Sequence, residues 1–145
     1  MKRKKQSPNR DNTYQSRLNF SKTSNLNQLI AEQKFSKALN LIDEILKIEN
    51  DYKNWNLKAI ILDNLSRYDE SIECYDKSLM LHECDEVKTN KANTLYKYAK
   101  VSYFPDAEYE KALDLINKSL EIHPEGEDLS EFYFLKAEIL EDLWS

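Results

Sequence analysis

Apolar side chains recur along this chain at helical spacing. Leu39, Ile42 and Leu46 stand at i, i+3 and i+7. Ile72, Tyr75 and Leu79 repeat that interval, and so do Leu113, Ile116 and Leu120. A period near 3.6 residues places each trio on one face of an α-helix, with polar residues between. Short polar breaks separate the stripes: Glu49-Asn50-Asp51, Ser66-Arg67, Glu83-Cys84-Asp85 and His123-Pro124-Glu125-Gly126. Pro124 and Gly126 are helix-stopping residues, and Asp85 and Asp128 or Ser130 are candidate N-caps. The pattern predicts helices over 24–33, 35–48, 52–65, 68–81, 86–101, 106–122 and 128–143.

The helices also repeat one another. Residues 55–65 (WNLKAIILDNL) and 133–143 (YFLKAEILEDL) are identical at six of eleven positions, with a fainter copy at 88–95 (KTNKANTL). Tyr68-Asp-Glu-Ser-Ile leads to Asp76-Lys-Ser-Leu, Tyr109-Glu-Lys-Ala-Leu leads to Asn117-Lys-Ser-Leu, and Phe35-Ser-Lys-Ala-Leu is the earliest copy. Ala38 to Ser71 and Ala59 to Ala92 are both 33 residues, whereas Ser71 to Ala112 is 41, so one unit carries about eight extra residues. A period in this range marks stacked helix pairs, none of which buries its apolar face alone.

Three units in register resemble the tetratricopeptide repeat family. The second supplies Trp55, Ala59, Leu62, Ser71, Tyr75 and Ser78; the third Ala92, Leu95, Ala112, Ile116, Ser119 and Pro124. The first keeps Ala38, Ile42 and Ile45, and the fourth is a lone first helix with Tyr133, Ala137 and Leu140. The resemblance implies an all-α, right-handed α-solenoid of about three helix-turn-helix repeats, closed by a C-terminal solvating helix with Glu138, Glu141 and Asp142 toward water, the rival reading of that last helix being a truncated longer array. It also implies that the first helices line a peptide-binding groove. By position the groove presents Asn56, Ile60, Asp63 and Asn64, then Thr89, Asn93, Tyr96 and Lys97, then Glu131, Phe134, Glu138 and Asp142. Asn can donate to and accept from a peptide backbone, while Ile60, Tyr96 and Phe134 are apolar anchors. The acidic carboxyl end of this face leads us to expect a basic or neutral protein or peptide partner. Asn56, Ile60, Glu86 and Asn90 stand where a carboxylate clamp needs Lys, Arg and Asn, so no such clamp is expected. The insertion, residues 98–105, is expected to lengthen a helix or form a loop, with Tyr103 and Phe104 either an exposed partner anchor or packed back on the neighbouring helix.

Composition narrows the chemistry. One Gly in 145 residues leaves no phosphate-binding glycine loop. Cys74 and Cys84 lie ten apart, without the spacing of a metal site or a disulfide framework. They are expected to be reduced, in a cytoplasmic setting. His82 and His123 share one repeat position near a helix carboxyl end, where a structural role follows from the dipole. The expectation is therefore a binding module that is not an enzyme, with no catalytic, metal or cofactor site. The longest apolar run is the four residues 59–62, too short for a membrane span.

Charge is unevenly spread. Residues 1–22 hold seven basic side chains and one acidic; residues 23–145 hold 14 basic and 25 acidic, within a net charge of -5. With few large apolar groups to offset ordering, 1–22 reads as a disordered basic arm and 23–145 as the folded repeat domain. An adaptor touching nucleic acid through that arm is the alternative function.

Overall fold

The computed structural model describes residues 9–145, with the side chains of 9–12, 15 and 16 excepted. Seven helices follow in order: α1 (Asn9–Ala31), α2 (Phe35–Ile48), α3 (Tyr52–Asn64), α4 (Tyr68–Leu81), α5 (Asp85–Tyr103), α6 (Tyr109–Ile122) and α7 (Ser130–Trp144). No strand occurs among the described residues. No helix among them is long and apolar enough to cross a membrane. Each helix packs on its neighbours in chain order, so α1 and α7 lie at the two ends of the stack. Additional contacts join α3 to α5 and α5 to α7, with none comparable between α2, α4 and α6. The odd-numbered helices are thus drawn together and the even-numbered ones splayed, which bends the array around an inner layer of α3, α5 and α7.

Small residues hold the pairs together. Ala59 and Ser71 are fully buried, and Ser71 Oγ donates to the Ala59 carbonyl oxygen at 2.7 Å. Seven residues away along both helices, Ser78 Oγ donates to the Tyr52 carbonyl at 2.7 Å. An antiparallel α3–α4 contact two turns long is fixed by these two bonds. Apolar groups fill the space between pairs in three clusters, centred on Ile42 and Ile61, on Leu62 and Tyr75, and on Leu95, Ile116 and Ile139.

The turns inside the first three pairs share one device. Gln33, Ser66 and Ala107 all adopt positive φ, at 58°, 58° and 56°. The next amide reaches back to a carbonyl in the preceding helix: Lys34 to Leu29, Arg67 to Leu62 and Glu108 to Ser102. This is helix termination through a left-handed residue, performed here without glycine.

Four details refine or correct the sequence expectation. First, α1 begins at Asn9 and runs unbroken through 9–22, part of the segment expected to be disordered, and on across the expected boundary between 22 and 23. Tertiary contacts support it: Asn19 is buried and donates to Glu49 Oε1 at 2.8 Å, and Lys22 pairs with Glu44. The part of that expectation that concerns 1–8 lies outside the described residues. Second, the caps shift: Asp51 caps α3 by accepting from the Asn54 amide, Cys84 rather than Asp85 occupies the cap position of α5, and Leu129 that of α7, where the expected Asp128 still accepts from the Ser130 amide at 3.0 Å. Third, the insertion is helical, adding nearly two turns to α5. Ser119 Oγ bonds the Ala92 carbonyl at 2.7 Å. The antiparallel register then sets Ala112 against Ala99, not Ala92, and Ala99 and Ala112 are both fully buried. Fourth, the closing helix α7 turns Glu141 and Asp142 outward as expected, and it also exposes Tyr133, Phe134 and Trp144, at 57%, 66% and 82%.

Candidate functional site

The inner layer brings α3, α5 and α7 side by side, and with them most residues expected to line a groove. Between α3 and α5 the expected residues bind one another. Asn90 Nδ2 donates to Asn56 Oδ1 at 3.2 Å, and Lys97 Nζ donates to Asp63 Oδ2 at 3.0 Å. Both pairs are 34 residues apart, so α5 stacks on α3 in plain repeat register. Asn56 is buried, and the Asp63 side chain is only 10% exposed. Asn64 donates to the Ile60 carbonyl of its own helix at 2.8 Å. At this end the polar residues serve the stacking of helices. Ile60 and Thr89 are half-buried, and Asn93 is exposed.

The α5–α7 end is different. A cleft of about 470 Å³ is lined by Tyr96, Lys100, Ser130, Glu131, Phe134, Leu135 and Glu138. A second cleft of about 370 Å³ shares Lys100, Leu135 and Glu138 and continues to Val101, Tyr103 and Phe104. The floor is apolar: the Tyr96 ring sits 4.5 Å from Phe132, and Phe134 and Phe104, 66% and 78% exposed, stand over it. Burial, then the carboxylates of Glu131 and Glu138, push the Tyr96 hydroxyl above its ordinary pKa, the response expected in a negative, poorly hydrated setting. Lys100 lies over the Tyr96 ring at 5.5 Å, a cation–π arrangement. Asp142 is drawn out of the groove set, because it accepts from Tyr103 Oη at 2.5 Å and closes the seam between α5 and α7. Among the described residues no group of three or more His, Cys, Asp or Glu is placed to hold a metal ion. His82 packs on Tyr52 and His123 edge-on against Phe132, each at the carboxyl end of an even-numbered helix.

Lys100, Val101 and Leu135 were missed as site residues from the sequence. A signal for one of them existed: once the insertion is read as helix, Lys100 falls four residues after Tyr96, on one face. Phe104, singled out with Tyr103 as a candidate anchor, follows the end of α5 in extended backbone.

The layered fold and the register of its small residues decide the family. The chain belongs to the tetratricopeptide repeat family. It is 34% identical over 111 residues, 71% of its length, to a TPR repeat-containing protein of Methanocaldococcus jannaschii, and covers 32% of that protein. It is 32% identical over 80 residues, 55% of its length, to the outer membrane protein assembly factor BamD of Rickettsia prowazekii, covering 30% of it. The chain thus spans about a third of the length of these curated relatives. No family model matches it. Among solved structures, the fold is similar to the Yersinia enterocolitica type III secretion chaperone SycD in complex with a peptide of the translocator YopD. The TM-score there is 0.53 at 13% identity, covering 86% of this chain and 90% of that one. It is equally similar to a MamA RS-1 ArsTM double mutant, with a TM-score of 0.53 at 16% identity, covering 86% and 96%. Within the repeat pattern, the third unit of this chain departs by the two added turns of α5, and the clefts lie on that departure.

Proposed function

We propose that this protein is a non-enzymatic protein-interaction module that captures a peptide segment by equilibrium binding on its inner layer. The observation that carries this reading is the joined pair of apolar clefts between α5 and α7, ringed by Glu131 and Glu138. Exposed aromatic side chains in a concave apolar site are the usual anchors of recognition. The occupant that fits is a short segment with an apolar side chain for the Tyr96–Phe134–Leu135 floor and a basic one for the carboxylates. Phe134, Tyr96, Glu131 and Glu138 carry the contact, with Ile60 and Asn93 extending the surface along the layer. Asn56, Asp63, Lys97 and Asp142 position the helices, while Asn64 binds within its own helix. SycD, a structural neighbour, is described with a bound peptide, which is consistent with this use of the fold.

Selection from a displayed library of random 12-residue peptides tests the reading, followed by anisotropy titration of the enriched sequences. Enrichment of basic-apolar peptides is expected. Phe134→Ser and Glu138→Lys should each weaken their binding by about tenfold or more, whereas Asn64→Ala should leave it unchanged. No enrichment, or peptides indifferent to Phe134 and Glu138, overturns the assignment.

A further inference from the structure

We infer that the outer face of α7 is a docking surface for the amino-terminal helix α1 of a second copy of this chain, joined head to tail. In α3, Trp55, Ala59 and Leu62 mark the face covered by α4. The matching residues of α7 are Tyr133, Ala137 and Leu140, with Trp144 one turn further along. No helix follows to cover them among the described residues, and Tyr133, Ala137 and Trp144 are exposed. The face is thus built like one that receives a helix elsewhere in the same molecule, where Ser71 seats on the Ala59 carbonyl.

At the opposite end, α1 presents Tyr14, Leu18, Ser21 and Asn25 at i, i+4, i+7 and i+11, all exposed. Tyr133, Ala137, Leu140 and Trp144 follow the same spacing. An antiparallel register that seats Ser21 on Ala137 also sets Leu18 by Leu140, Tyr14 by Trp144 and Asn25 by Tyr133. In that register Arg17 falls opposite Glu141. Charge agrees over a wider span: residues 1–22 carry seven basic and one acidic side chain, and residues 125–145 carry seven acidic and one basic. The same tally argues against α7 pairing with a second α7, since like charges would face each other. Because α1 and α7 occupy opposite ends of the stack, the match is made between copies. Such a heterologous contact does not close on itself and builds open chains. This inference does not depend on the peptide groove, which uses Phe134 and Glu138 on a different face of α7.

Sedimentation velocity on the full chain over a wide concentration range, at low and high ionic strength, tests it. The expected result is growth past the dimer with concentration, weakened by salt. Trp144→Glu with Tyr133→Ser should block one end, and Tyr14→Ser with Arg17→Glu the other. Each variant alone should be monomeric, with an unchanged far-ultraviolet circular dichroism spectrum, and an equimolar mixture should form a dimer and nothing larger. Arg17→Glu and Glu141→Lys should each weaken association by about tenfold, and the two combined in one chain should restore it. A monomer at every concentration, association that survives the α1 substitutions, or a mixture that stays monomeric would each overturn the proposal.

Discussion

At the residue scale, small side chains do two jobs in this protein. Alanines and serines let helices approach, and one residue per turn accepts a left-handed backbone. Ser66 is exposed and sits at φ 58°, a conformation that disfavours residues with a Cβ by roughly 1–2 kcal/mol. Ser66→Gly relieves that cost, less the extra chain entropy of glycine in the unfolded state. A gain of up to about 1 kcal/mol is expected by urea denaturation, and a loss would show that the Ser66 side chain supports the turn. Tyr75 gives a second prediction. It is 1% exposed, within reach of the Thr94 hydroxyl at a long 3.5 Å, and burial pushes its pKa from 10 to about 12. The folded state therefore holds this proton more tightly than the unfolded chain. The associated stability is complete below pH 10 and is lost as pH rises toward 12, by roughly 2–3 kcal/mol for a shift of this size. Tyr75→Phe should flatten the alkaline limb of the stability profile. An unchanged limb would assign it to other tyrosines, Tyr103 first, whose pKa is also raised to about 12, chiefly by its bond to Asp142.

At the element scale, α5 is the informative helix. Its first half stacks on α3 in repeat register, through Asn56–Asn90 and Asp63–Lys97. Its second half receives α6 about two turns further along, roughly 10 Å at 1.5 Å per residue. Tyr98 ties the extension to the start of α4 by stacking on Tyr68 at 5.3 Å and donating to Asp69. Ala99 is consequently an interface residue as close-packed as Ala59. Ala99→Leu should cost about 1–3 kcal/mol or more through overpacking, read as a lowered denaturation midpoint. If Ala99→Leu is as silent as a substitution at the exposed control position Asp114→Leu, the displaced register is wrong. The sequence signalled the insertion by its 41-residue interval, but only the packing shows that the extra turns move α6 rather than loop out.

At the scale of the whole molecule, contacts pass from each helix to the next, and the ends have neighbours on one side only. Stability in such arrays is close to a sum of nearest-neighbour terms. Hydrogen exchange should therefore be slowest in α4 and α5 and fastest in the first turns of α1 and the last turns of α7. Uniform protection from end to end would show either a more cooperative unit or ends covered by other copies. Raising the protein concentration separates these, since protection of α1 and α7 alone should then increase. Of the residues expected to line a groove, Tyr96, Phe134 and Glu138 share one cleft, the site proposed for a peptide. Asp63, Lys97 and Asn56 do not present themselves there, because their equivalence by repeat position says nothing about which neighbour they bind.

The sequence alone determined helices α2 to α7, the helix-pair repeat and the small residues that mark it, because each is encoded by spacing within or between adjacent segments. It also carried the charge asymmetry between the two ends. Tertiary structure decided which groups from distant segments share a surface. It converted the expected arm over 9–22 into helix by giving Asn19 and Lys22 partners on α2 and the following turn. It moved α6 along α5, opened the apolar clefts and left the outer face of α7 uncovered. Those outcomes depend on how long helices slide and stack against one another, a balance of contacts that local spacing does not specify.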